Sequence, residues 1–195
     1  RPIAQPLRAL AEPGDAVVVS YIWQEGILRM YAPHVSSTYY LGWFGRERVG
    51  EQLHTLFEKH RRLWLLTYRV PLKHPMNVGG WWLEHHAARA TYREHGYSRA
   101  ALYVRPPAES STSQRERVTF EKGLELSYLP ISQTTTAGRG VALDLRWTVG
   151  QRLSSASYKV FAHLIDQEGE IWSQRDGKPQ NGTQPFEEAA SGETL

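Results

Sequence analysis

Apolar positions in the first hundred residues alternate between two periods. Ile3, Leu7 and Leu10 recur at helical spacing until Pro13, Gly14 and Asp15 break the run. Residues 16–21 form a short β-branched run bounded by turn residues, the pattern of a buried strand. Trp23, Ile27 and Met30/Tyr31 share one face of a short helix that Pro33 ends, and residues 35–41 predict a second strand. The clearest helix covers residues 46–62, with Val49, Leu53, Leu56 and Phe57 on one stripe and charges elsewhere. Residues 63–68 predict a third strand. Asn77 offers a helix entry, residues 82–95 predict a fourth helix with Gly96 just past its end, and residues 100–104 predict a fourth strand. Strand and helix alternate three times with short connections. That order predicts a Rossmann-like α/β layer over residues 1–105, with a mostly parallel sheet and right-handed crossovers.

The pattern then changes. Residues 106–117 are polar and unpatterned and read as a linker. From Val118 onward short alternating runs at 124–129, 141–148, 158–166 and 171–175 are separated by Gly, Pro and Asn-rich turns, with residues 167–170 spaced as a hairpin turn. Residues 118–195 are therefore expected to form an antiparallel β-sandwich or jelly roll. Four or five strands are few for that fold, and the final residues read as a turn entering another strand, so the β domain is expected to be truncated at Leu195.

Charge follows the same division. Residues 1–105 carry 14 Lys/Arg against 8 Asp/Glu, and residues 106–195 carry 9 against 12. The net charge of +3 is too small to argue for nucleic acid, which is not expected as a partner. The chain has no cysteine, which excludes disulfides, thiol nucleophiles and Cys-based zinc sites together. No apolar run approaches the roughly 20 residues that a membrane-spanning helix needs.

Candidate chemistry is sparse. Glu84, His85 and His86 stand together with Tyr92 and His95 further along, but the order does not match His-Glu-x-x-His, and adjacent histidines point about 100° apart on a helix. Arg89, one turn beyond His85, would repel a metal, and no metal site is expected. The first strand is followed by Ile22, Trp23, Gln24, Glu25 and Gly26 instead of a glycine-rich dinucleotide loop, so no cofactor is expected. Ser20, Ser36 and Ser37 lie at strand ends without a nucleophile elbow around them. No complete catalytic site is visible. Five of the seven Trp and eight of the ten Tyr fall in the first half. Aromatics suit cores and interfaces as well as sugars, and because Trp81 and Trp82 cannot face the same way, one of them is a candidate platform. Arg61, Arg62 and residues 69–73 interleave basic groups with these aromatics. In the β half, Asp166, Asp176 and the polar loop 177–182 gather groups that suit a turn, a calcium ion or a sugar. Asn181, Gly182 and Thr183 match a glycosylation sequon.

Phe161, His163 and Leu164 on one strand, Gly169 in the turn, Gln174, Asp176 and Pro179 on the next, and then Asn181 and Gly182 carry a resemblance. So does the stretch from Gly138 to Trp147. This pattern resembles a β-sandwich near the C-terminus of bacterial multi-spanning (GT-C type) glycosyltransferases, the relatives of protein mannosyltransferases and aminoarabinose transferases that use a lipid-phosphate-sugar donor. The resemblance is close over residues 118–182. It is looser over the first half, where residues 13–19 are similar to the opening of the soluble α/β region of those proteins. It implies an extracytoplasmic region on the bacterial membrane, non-catalytic by itself, because the family's catalytic carboxylates lie in loops among membrane helices.

The expected role is holding an acceptor glycan or lipid-linked sugar, or packing on the membrane core of the parent protein. Trp81, Trp82, Asp176 and Asn181 are the expected contacts. One alternative is a free-standing α/β enzyme acting on a sugar or phosphorylated substrate at the strand ends, where Glu25, His34 and His74 would serve as acid or base. The other is a structural interaction module.

Overall fold

Strand β1 (Ala16–Val19) is buried along its whole length, as an unbroken apolar run predicts for a strand covered on both faces. The computed structural model describes residues 4–35, 37–41, 46–70, 77–105, 114–130, 143–151, 153, 158–182 and 184–195. They divide into two units, one ending at Arg105 and one beginning at Gln114. Around β1 the first unit holds α1 (Ala4–Leu10), α2 (Gln24–Tyr31), β2 (Ser37–Tyr40), α3 (Arg46–Lys59), β3 (Arg62–Tyr68), α4 (Val78–His86), β4 (Ala88–His95) and β5 (Ser98–Val104). The sheet order is β2-β1-β3-β5-β4.

Alternate side chains of each strand feed two cores. Ala16, Val18, Leu63, Leu65 and Tyr103 pack with Val49, Leu53 and Phe57 of α3 and Leu83 of α4 on one face. Val17, Val19, Trp64, Leu66 and Leu102 pack with Leu7 of α1 and Leu28 of α2 on the other. Asp15 ties the sheet to the chain entering it. Its carboxylate accepts from the buried Trp64 indole N–H at 2.9 Å and pairs with Arg62 Nε at 3.0 Å.

Two expectations are corrected here. The helix predicted over residues 82–95 ends at His86, and Ala87 turns extended at φ −145°, ψ 154°. Residues 88–95 are strand β4, because β5 offers them a full antiparallel ladder and Gly96 supplies the turn at φ +55°. Cross-strand pairing outweighs local propensity there, with Glu94 accepting from Arg99 at 2.6 Å. Consequently the sheet is mixed rather than mostly parallel. β1 runs parallel to β2 and β3, whereas β5 runs antiparallel to both β3 and β4.

The second unit is antiparallel throughout. β6 (Glu116–Thr119), β7 (Leu124–Tyr128) and β8 (Leu145–Val149) form one sheet, and among the described residues β9 (Val160–Ile165) pairs with β10 (Ile171–Gly177) in another. β6 opens two residues inside the stretch read as linker. All its side chains are exposed, so no apolar alternation marked it. Residues 106–113 lie outside the described residues. A small core of Leu124, Val149, Leu153, Phe186 and Ala189 holds this unit, with Trp147, Tyr158 and Leu195 packed against it. Thr194 bridges to Thr148, adding a contact to the edge of β8. Gly150 N–H donates to Gly123 O at 2.8 Å, an approach so close that a Cβ on Gly150 would lie 2.4 Å from that oxygen.

Candidate functional site

Helix α4 begins at Asn77, whose side chain accepts from Gly80 N–H at 3.0 Å. One turn on, Trp82 packs into the first core. Its ring stacks on His86 at 4.2 Å and on Phe57 at 6.4 Å. Room for it comes from Gly50, where a Cβ would lie 2.9 Å from the indole nitrogen. Trp82 is therefore a packing residue. Trp81 is half-buried and lies against His85 with centroids 4.2 Å apart. Both histidines donate Nδ1–H back to the helix, His85 to Trp81 O at 2.7 Å and His86 to Trp82 O at 2.8 Å.

Glu84 points the other way, into the sheet. Its Oε1 accepts from Arg89 at 2.8 Å and from the Tyr103 hydroxyl at 2.6 Å, while Oε2 has no partner. Burial first, and the Glu84 charge second, push the Tyr103 hydroxyl far above its ordinary range. The Glu-His-His cluster thus splits between core and surface. His95 stands apart on β4, and no group of three His, Asp or Glu among the described residues is placed to hold a metal.

At the carboxyl ends of the parallel strands, Glu25 and His34 of the expected acid–base residues do not converge. Glu25 opens α2 and pairs with Arg29 at 2.7 Å, whereas His34 follows the far end of the same helix. His74 and Ser36 lie outside the described residues. Ser20 donates to Leu66 O at 3.3 Å. The edge carries instead an aromatic cluster. Tyr21 stacks on Trp23 at 6.0 Å, Trp23 meets Tyr68 edge-on at 5.3 Å, and Tyr68 meets Tyr97 at 6.2 Å. Arg69, in the left-handed region at φ +67°, donates its backbone N–H to Tyr97 O at 2.7 Å. Its guanidinium lies 5.4 Å and 5.7 Å from the Tyr68 and Tyr97 ring centres.

Helix α2 turns its apolar stripe away from the core. Trp23, Ile27 and Met30 form its apolar stripe, but the buried residues are Gln24 and Leu28. Gln24 is drawn inward because its Oε1 accepts from Tyr21 N–H at 2.8 Å, which satisfies a backbone donor at the helix entry.

In the second unit, Asp176 and Asn181 sit at one end of the β9–β10 hairpin on different sides. Cross-strand pairing sets His163 opposite Gln174 and Phe161 opposite Asp176, so these four share a face with Ile165, while the register shifts at Trp172 near the turn. All six are exposed, Phe161 by 64% and Trp172 by 73%. His163 Nε2 lies 3.5 Å from Asp176 Oδ1. Arg175, on the alternate side, donates to Asn181 Oδ1, and Asn181 is held at φ +56°.

Asp166 holds the β9–β10 turn. Its Oδ2 accepts from Trp172 Nε1 at 2.7 Å and its Oδ1 from Glu170 N–H at 2.8 Å. These bonds, the indole's first, hold the Asp166 carboxyl below the usual carboxylate range. The Trp172 ring is thereby fixed in orientation while most of it faces water. Of the four expected contacts, Asp176 alone joins this row. The alternation at 161–165 and 171–175 marks both strands, but nothing in it says which face stays uncovered.

No family model, curated protein or solved structure matches the chain.

Proposed function

We propose that this chain is an extracytoplasmic, non-catalytic C-terminal region of a membrane-bound glycosyltransferase, and that it holds acceptor glycan on the exposed face of β9–β10. On this reading the first unit is a Rossmann-like layer with an antiparallel edge, and the second belongs to an antiparallel sandwich or jelly roll. The resemblance over residues 118–182 motivates the assignment. Among the described residues no helix is long and apolar enough to cross a membrane, so the membrane part would be supplied by the parent protein.

The observation that carries the glycan role is the exposed row of Phe161, His163, Gln174 and Asp176, with the exposed Trp172 ring at the turn end of the same hairpin. Two aromatic rings lie in water on this strand pair, with an imidazole, an amide and a carboxylate on it as well. A pyranose ring offers C–H faces to aromatics and hydroxyls to such polar groups. Because Asp166 already fixes the indole, stacking on it costs less side-chain entropy than stacking on a mobile ring. Saturation-difference NMR with bacterial saccharides and lipid-phosphate sugars tests this. Transfer is expected to be lost in Trp172→Ala and Phe161→Ala and kept in Trp81→Ala. A folded sample that shows no transfer to any saccharide, or transfer indifferent to Trp172→Ala, overturns it.

A further inference from the structure

The outward stripe of α2 is chemically unlike the hairpin row. Trp23, Ile27 and Met30 follow at the spacing of one helix face and are 52%, 36% and 72% exposed, and Ile22 just ahead of the helix is 67% exposed. Three of these four are aliphatic. They have no aromatic face for a sugar to stack on and no polar group for its hydroxyls.

The surroundings are cationic. The Arg29 side chain is 80% exposed, and Glu25, the one carboxylate on the helix, is paired with it at 2.7 Å. Arg8 is exposed on α1, which packs beside α2. Arg69 sits over Tyr68 and Tyr97, next to Trp23. The nearest acidic residue on the β4–β5 turn, Glu94, is taken by Arg99 at 2.6 Å. Tyr97, 65% exposed, adds a second amphipathic ring, and both it and Trp23 contact Tyr68.

We propose that this stripe seats the first unit on the surface of an anionic lipid bilayer. Ile22, Ile27 and Met30 enter the boundary between headgroups and acyl chains. Trp23 and Tyr97 lie at headgroup level, where rings with an apolar body and a polar tip are favoured. Arg8, Arg29 and Arg69 meet lipid phosphates, and the excess of six positive charges over residues 1–105 draws the unit to the surface. Seating on a bilayer depends on α2 and the surrounding arginines, not on the hairpin row, so it and the glycan reading can fail separately.

The chain has no native cysteine, so a single nitroxide reports cleanly. Met30→Cys labels the stripe. Thr55→Cys labels the exposed side of α3, a helix on the opposite face of the sheet. With phosphatidylcholine vesicles containing phosphatidylglycerol, the Met30 label is expected to become accessible to oxygen and shielded from a water-soluble nickel chelate. The Thr55 label stays aqueous, and pure phosphatidylcholine gives a much weaker effect. Arg29→Gln and Arg69→Gln are each expected to lower the partition coefficient about fivefold, whereas Trp172→Ala leaves it unchanged. Both labels remaining aqueous on anionic vesicles overturns the proposal. So does a Met30 label already shielded without lipid in an assembly of two chains, because a second copy then covers the stripe.

Discussion

The indole of Trp172 is tethered to the carboxylate of Asp166, with Nε1 donating to Oδ2 at 2.7 Å across the turn that joins β9 to β10. The bond holds the Asp166 carboxyl below its ordinary value. A depressed carboxyl contributes stability that is fully present above its unfolded value, about 3.9, and is lost as pH falls through the lower folded value. Trp172→Phe keeps an aromatic ring but removes the donor. The Asp166 midpoint, followed through its side-chain carboxyl resonance, is expected to rise toward the ordinary range. An unchanged midpoint would mean that the indole does not hold the carboxylate in solution.

Glu84 and Arg89 form the other consequential pair. The Glu84 side chain is wholly buried, and Arg89 and Tyr103 supply its donors. Arg89→Met leaves a buried carboxylate without its cation, and is expected to cost about 3–5 kcal/mol in urea unfolding. Adding Glu84→Gln removes the uncompensated charge, so the double variant should be more stable than Arg89→Met alone. Equal losses in the single and double variants would show that the pair's charge is not what the core must neutralise.

The second unit depends on few apolar groups, and Phe186 is the largest of them that is fully buried. Phe186→Ala is expected to remove about 3–5 kcal/mol. Hydrogen exchange should then show Leu126 and Thr148 losing protection on β7 and β8, while Val17 and Leu65 keep theirs in the first unit. Protection lost equally at all four amides would argue that the two units unfold as one.

The sequence makes legible whatever local pattern decides alone. Residues 16–21 read as a buried strand and 63–68 as a strand, and β1 and the interior of β3 are buried without interruption. The stripe of Val49, Leu53 and Phe57 reads as the inner face of α3, and it is. Where a partner decides, the pattern misleads. Residues 88–95 lack strong apolar alternation, and only β5 makes them a strand. On α2, periodicity identifies the apolar stripe but not its direction, which follows Leu28 and the bond from Gln24 to the Tyr21 backbone. Trp82 reads as a candidate platform because its neighbour across the core, Gly50, carries no side chain to reveal the slot it leaves. The hairpin row was visible as alternation, yet its exposure depends on what does not pack against it.

Sheet order also has a consequence for what this molecule can recognise. β1 is flanked by β2 and β3, with α2 and α3 covering opposite faces of the sheet. An open α/β sheet offers its ligand crevice between such strands, beyond their carboxyl ends. Here Tyr21 follows β1, Tyr68 ends β3, and their rings meet at 6.3 Å, while the Ser20 hydroxyl closes onto Leu66 O beneath them. Among the described residues, the ends of β1 and β3 are thus bridged by the protein's own side chains. On the two proposals made above, the ligands are extended ones met on rims and faces: a polymer laid along a strand, and a surface on which a helix rests.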